Sequence, residues 1–228
     1  MKKFELTTES ITNEAGKKLF RIKALIDFGD VKAGELGGYV EKEGNVSQDD
    51  NAWVSGDAEV FGNAKVFGNA RVSGHALVFG HARVSGDALI SDNAWVSDNA
   101  WVSDNALVFG CALVFGDAKV SGRALVFGNA RVSGDALISG NAWVSDNAWV
   151  SDNADYALVQ GFGIKFRCTT FYRGKNKKIM VNCGCFHGDL EEFRKQVKET
   201  RSGKIAKEYL MIADLMEYHF VSEDSSDE

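Results

Sequence analysis

From Val54 to Val150 an aliphatic residue returns at every sixth position through seventeen uninterrupted hexads, with a small residue two places before it, as in Ala52-Trp53-Val54, Ala58-Glu59-Val60 and Ala64-Lys65-Val66. Six residues are too few for a repeating helix-turn-helix. In Ala-x-Val-x the Ala and Val point to one side and the x positions to the other, the period-two pattern of a short strand. The next two residues, Gly-Asp, Gly-Asn or Asp-Asn in nearly every case, tolerate left-handed backbone and turn the chain. A fixed short period predicts a solenoid whose units share one core. Three strand-turn sides close a triangular coil of about eighteen residues, with coils stacked roughly 4.8 Å apart. Val40 and Val46 fit as earlier members, set off from Val54 by a two-residue insertion near Gln48 and Asp49.

At eighteen residues per coil, roughly, the outward positions sort into three faces. One carries Trp53, Arg71, Leu89, Leu107, Leu125 and Trp143 with Phe109 and Phe127; a second carries Glu59, Leu77, Trp95, Leu113, Arg131 and Trp149 with Phe61, Phe79 and Phe115. The third reads as the polar one, with Lys65, Arg83, Trp101, Lys119, Leu137 and Asp155 and a single Phe, Phe67. Apolar outer patches mark partner surfaces, and a heterologous contact repeated about a three-fold axis closes on itself. The expectation is a homotrimer that also contacts an unidentified protein. A C-terminal region folded back over one face would leave a monomer. Residues 77–105 and 125–153 are the same text with two differences, His81 against Asn129 and Asp92 against Gly140. Their offset of 48 is eight hexads, not a whole number of coils, so copied Trp residues land on different faces.

The ends break the repeat. Residues 1–38 read as two strands about a turn at Asn13–Gly16, capping the open end of a β-helix that spans 39–155. Residues 156–221 read as a small α+β cap: a hairpin, Ile164 to Tyr172 and Lys178 to Phe186, then two helices. The first helix has Asp189 as N-cap and Glu192 at the capping-box position, and Ser202-Gly203 separates it from an amphipathic second. The acidic stretch 222–228 reads as a disordered tail.

The repeat resembles the left-handed parallel β-helix of hexapeptide-repeat proteins, and that resemblance implies the left hand and the trimer. Lys3-Phe4-Glu5-Leu6-Thr7, the stretch from Ala24 to Val40, and Cys183-Gly184-Cys185-Phe186 before Glu191-Glu192-Phe193 are similar to a group of such proteins from phages, prophages and gut bacteria. The resemblance implies a phage-related role, with virion association or the host cytoplasm as the place, and assigns no catalytic residue.

A net charge of -6 argues against nucleic acid as a partner. The start MKKFELTTES lacks a signal-peptide core, no stretch has the length of a membrane span, and the four Cys form no secreted-type framework, so the expectation is a cytoplasmic protein with reduced thiols. No cofactor is expected. Hexapeptide acyltransferases use a His base, which makes His75 and His81 the catalytic candidates; both fill a corner slot, and Asn129 replaces His81 in the second copy. Cys183, Cys185 and His187 alternate if they share one strand, and a two-residue loop at Lys175-Asn176 sets Cys168 opposite Cys183, giving a candidate zinc set. Basic residues from Arg173 to Lys207 concentrate positive charge near the C-terminus. The first expectation is a non-enzymatic scaffold; the alternatives are an acyltransferase with an inter-subunit coenzyme A site, and a module that sequesters a small ligand or inhibits a host protein.

Overall fold

The alternation of Ala and Val inward with x outward produces, in the computed structural model, seventeen two-residue strands, β4 (Trp53–Val54) through β20 (Trp149–Val150). The structure describes residues 2–163, 167–175 and 177–220. The acidic tail 222–228, and Ile164 and Asn176 of the expected hairpin, lie outside them. Each strand before the final coil pairs in parallel with the strand eighteen residues on, as in Val60 with Val78, Val78 with Val96 and Val96 with Val114. The result is a parallel β-solenoid of three sheets.

Inside, every repeat Ala and Val or Ile from Ala52 to Val150 is buried in one continuous core that runs the length of the stack. Between coils the backbone is satisfied by ladder bonds such as Trp95 N–H to Ala112 C=O at 2.9 Å, which leaves burial of the aliphatic column as the source of stability. Corners turn through positive φ, mostly at Gly. Asp92, Asp98 and Asp104 take the same backbone region at φ 57 to 59°, and each carboxylate accepts the N–H of the Gly one coil on: Gly110 at 3.0 Å, Gly116 at 3.2 Å and Gly122 at 3.0 Å. Asn side chains add a second ladder, Asn51 to Asn69 and Asn69 to Asp87, both 2.9 Å.

The insertion near Gln48 is where the amino-terminal strands lock on. Val40 pairs with Val60 and Val46 bridges Val66, each twenty residues apart, whereas Val54 pairs with Val72. The two extra residues let Gln48 reach the first strand, β1 (Phe4–Thr12): its carbonyl accepts Lys3 N–H at 2.8 Å and its amide donates to Phe4 C=O at 3.1 Å. Strand β1 pairs antiparallel with β2 (Lys18–Ala24), and β2 with β3 (Leu36–Val40), which continues into the second face.

At the other end, β21 (Tyr156–Phe162), β22 (Arg167–Arg173), β23 (Ile179–Cys183) and β24 (Phe186–Asp189) form an antiparallel sheet in that order. One face meets the last coil through Tyr172, Tyr156, Leu158 and Met180. The other packs on α1 (Leu190–Thr200) and α2 (Gly203–Phe220) through Phe171, Val181, Phe193 and Ile212. The capping box forms as expected, Asp189 accepting Glu192 N–H at 3.0 Å and Glu192 accepting Asp189 N–H at 2.9 Å.

Candidate functional site

The outward residues fall on the three faces that the spacing predicts. Leu89, Leu107, Leu125 and Trp143 follow one another on the first sheet, and Leu77, Trp95, Leu113, Arg131 and Trp149 on the second. The leucines are half-buried, while Trp95, Trp143 and Trp149 are each more than 40 % exposed. Phe109 stacks on Phe127 with ring centroids 5.0 Å apart, and Phe79 meets Trp95 edge-on at 6.4 Å. Phe115 is half-buried on the same corner column as Phe79. Along the third face Arg83 lies over Trp101, whose indole donates to Ser85 Oγ at 3.0 Å.

Trp53 does not join this surface. It is 2 % exposed, held edge-on at 5.4 Å by Phe28, from the connection after the second strand, and at 6.2 Å by Phe4, from the first. Its triplet is indistinguishable from Ala94-Trp95-Val96; what differs is the chain that folds over it.

His75 and His81 stand exposed on successive corners, His75 Nδ1 lying 3.8 Å from Asp57 Oδ2 one coil earlier.

The expected thiol cluster does not assemble. Cys183 ends β23, Gly184 and Cys185 form the turn, and Phe186 opens a new strand, so Cys183, Cys185 and His187 do not alternate along one strand. The preceding hairpin is one residue longer than a two-residue loop at Lys175-Asn176 allows: Gly174 N–H bonds Lys178 C=O, and Lys177 turns at φ 62°. Thr169, not Cys168, therefore faces Cys183, and its hydroxyl donates to Cys183 Sγ at 3.1 Å. A one-residue slip moves every side chain to the other face. Cys168 consequently points to the solenoid, where burial raises its thiol pKa. No group of three or more His, Cys, Asp or Glu among the described residues is arranged to hold a metal ion.

The register instead builds a polar junction between the last coil and the sheet. Parallel coils leave open ladder groups at the final turn, and side chains take the place of the missing coil. Trp143 N–H donates to Thr170 Oγ1 at 3.0 Å, Trp143 C=O accepts from Asn182 Nδ2 at 3.0 Å, and Leu137 N–H donates to Asn153 Oδ1 at 2.8 Å. Asn182 Nδ2 also reaches Ser145 Oγ at 3.2 Å, and Ser145 donates to Asp146 Oδ2 at 2.8 Å. His187 lies between Asn182 Oδ1 at 2.6 Å and Asp146 Oδ2 at 3.1 Å. An open cleft of about 800 Å³ borders this network, lined by Asp146, Asn147, Tyr172, Lys175, Met180 and His187. Tyr172 is buried there, which raises its pKa.

These residues do not form a Ser-His-Asp nucleophile. Ser145 is 2 % exposed and its hydrogen goes to the carboxylate rather than to the imidazole. Sequence alone gave no signal for Thr170 or Asn182, and the one trace of the junction lay in the copies' difference at position 140.

Part of the C-terminal positive charge is paired. Arg173 bonds Asp155 and Phe220 C=O, Lys178 bonds Asp189, and Arg194 bonds Glu191, Asp214 and Glu217, which raises its pKa. No helix of the described residues is long and apolar enough to cross a membrane.

Residues 82–98 and 130–146 each match the family model of the YdcK beta solenoid repeat. The two windows lie 48 residues apart, inside the two copies of the duplicated text. No curated protein matches the chain. The chain is thus a β-solenoid repeat protein by pattern, by fold and by this match.

Proposed function

We propose that the protein is a non-enzymatic scaffold that assembles as a homotrimer through the outer faces of its solenoid and presents a rigid surface to a protein partner. The observation that carries this reading is the pair of apolar rows, Leu89-Leu107-Leu125-Trp143 and Leu77-Trp95-Leu113, on adjacent faces, the second interrupted by Arg131 before Trp149. Solvent-facing rows of this kind mark contact surfaces, whereas the third face mixes the exposed cations Lys65, Arg83 and Lys119 with exposed Trp101 and Leu137. A stack with an uninterrupted ladder suits a spacer because each coil is held by both neighbours. The phage-related setting rests on the resemblance of the two ends and the Cys183-Phe186 segment alone. The test is the oligomer mass of the purified chain beside Leu107→Glu and Leu113→Glu. Loss of the trimer in either variant supports the reading, and a wild-type monomer overturns it.

A further inference from the structure

We infer that two copies of the chain join end to end through α2, which pairs antiparallel with α2 of the second copy about a two-fold axis at Met211. Met211, Leu215 and Tyr218 are 61, 58 and 81 % exposed, more than any tryptophan of the solenoid. Their i, i+4, i+7 spacing sets them in one stripe, on the opposite side of the helix from Ile212, Met216 and Phe220, which are buried in the domain's own core. Every exposed position of α1, in the same layer, is polar or charged. From the solenoid outward the order is last coil, sheet, helices. The stripe is therefore the outermost surface of that end, apart from the outer faces of the coils.

The charges about the stripe select its occupant. At about 100° per residue, Lys207 and Asp214 lie on the same flank of the stripe, and Lys204 lies in line with it. A single guanidinium, Arg194, bonds Glu191, Asp214 and Glu217, which leaves a surplus of negative charge there, and the Asp214 carboxylate is still 70 % exposed. Lys207 is exposed at the other end of the flank, and Lys204 is 3.6 Å from Glu208. A parallel copy would set Lys207 on Lys207 and Asp214 on Asp214 and align the two helix dipoles, which repels. An antiparallel copy centred on Met211 sets Met211 on Met211, Lys207 beside Asp214 of the second copy, and Asp214 beside its Lys207. It also brings Lys204 to the ring of the second copy's Tyr218, a cation–π contact. One surface thus supplies both halves of every contact, which is what an isologous two-fold requires.

The stripe is small against the roughly 800 Å² per partner of a standard interface, so the pair forms at high concentration and is dissociated at the low concentrations of a native mass spectrum. The test is sedimentation velocity of the full chain at about 5 µM and about 500 µM. The wild-type mass is expected to rise about twofold at the higher concentration, the step of an isologous pair, with no rise in Leu215→Glu or Lys207→Glu, both substituted at exposed positions. An equimolar mixture of Lys207→Glu with Asp214→Lys is expected to regain the doubling, because one variant is then acidic and the other basic at both positions. Whether the unit at low concentration is one chain or three reports on the outer faces of the solenoid, and its doubling reports on α2, so the two readings fail separately. A wild type that does not double, or doubling retained by Leu215→Glu or by Lys207→Glu alone, would overturn the inference.

Discussion

A β-carbon placed on Gly140 would lie 3.3 Å from Cδ2 of Leu158, the side chain that β21 sets over that corner of the final coil. The two copies of the duplicated text differ at this corner, Asp92 in the first and Gly140 in the second. Asp92 has Gly110 N–H above it, whereas Gly140 has only a leucine. Restoring the copy with Gly140→Asp puts a carboxylate against that leucine and is expected to destabilise the fold by about 1–3 kcal/mol. Urea unfolding reads this directly, with Asp92→Gly, which trades a hydrogen bond for relaxed φ, expected within about 1 kcal/mol of wild type.

Corner glycines differ in what an added methyl would meet. At Gly86, φ 66°, a β-carbon would fall 2.7 Å from Asp104 N, a backbone atom that cannot swing aside. Gly86→Ala is expected to cost more than about 2 kcal/mol. At Gly16, φ 71°, nothing lies within 4 Å, and Gly16→Ala is expected to cost about 1 kcal/mol, the backbone term alone. Equal losses in thermal melts of the two variants would contradict this account of the corners.

Lys3 is buried beside Phe4 and Phe28, its ammonium donating to Asp50 C=O at 2.7 Å and Ala52 C=O at 2.8 Å. Desolvation lowers its pKa to about 8, only partly countered by Asp50. In the unfolded chain a lysine holds its proton to about 10.4. Between these values the unfolded state binds more protons, so this group makes the protein more stable as pH rises from about 8 to about 10.4. Chemical denaturation across that window should show the rise in wild type and a flatter profile in Lys3→Met.

Asn182 closes the open end by bonding Trp143 C=O and Ser145 Oγ. Asn182→Leu keeps the volume and strands both acceptors, at an expected cost of about 1–3 kcal/mol. The loss should appear as faster amide exchange in the last coil and in β22 and β23, with coils near Val78 unchanged.

The repeat made the solenoid legible because periodicity alone dictates which side chains are inside. Even the displacement near Gln48 was readable, since Val40 and Val46 keep the hexad spacing on the far side of it. The C-terminal sheet was less legible. Its register turns on one residue in the loop after Arg173, a count set by the backbone turn at Lys177, and that residue decides whether Cys168 or Thr169 faces Cys183. Trp53 was misread for a different reason: its burial is imposed by Phe4 and Phe28, distant in sequence, and nothing in its own triplet records them.

Assembly through the apolar rows is tested most directly by native mass spectrometry of the intact chain beside Leu107→Glu and Leu113→Glu. The wild type is expected at three times the 24.8 kDa chain mass, and a charge buried in a row should return either variant to the single-chain mass. A wild-type chain that stays at the single mass, or variants that hold the trimer unchanged, would contradict the proposal that these faces are where the protein meets its own copies.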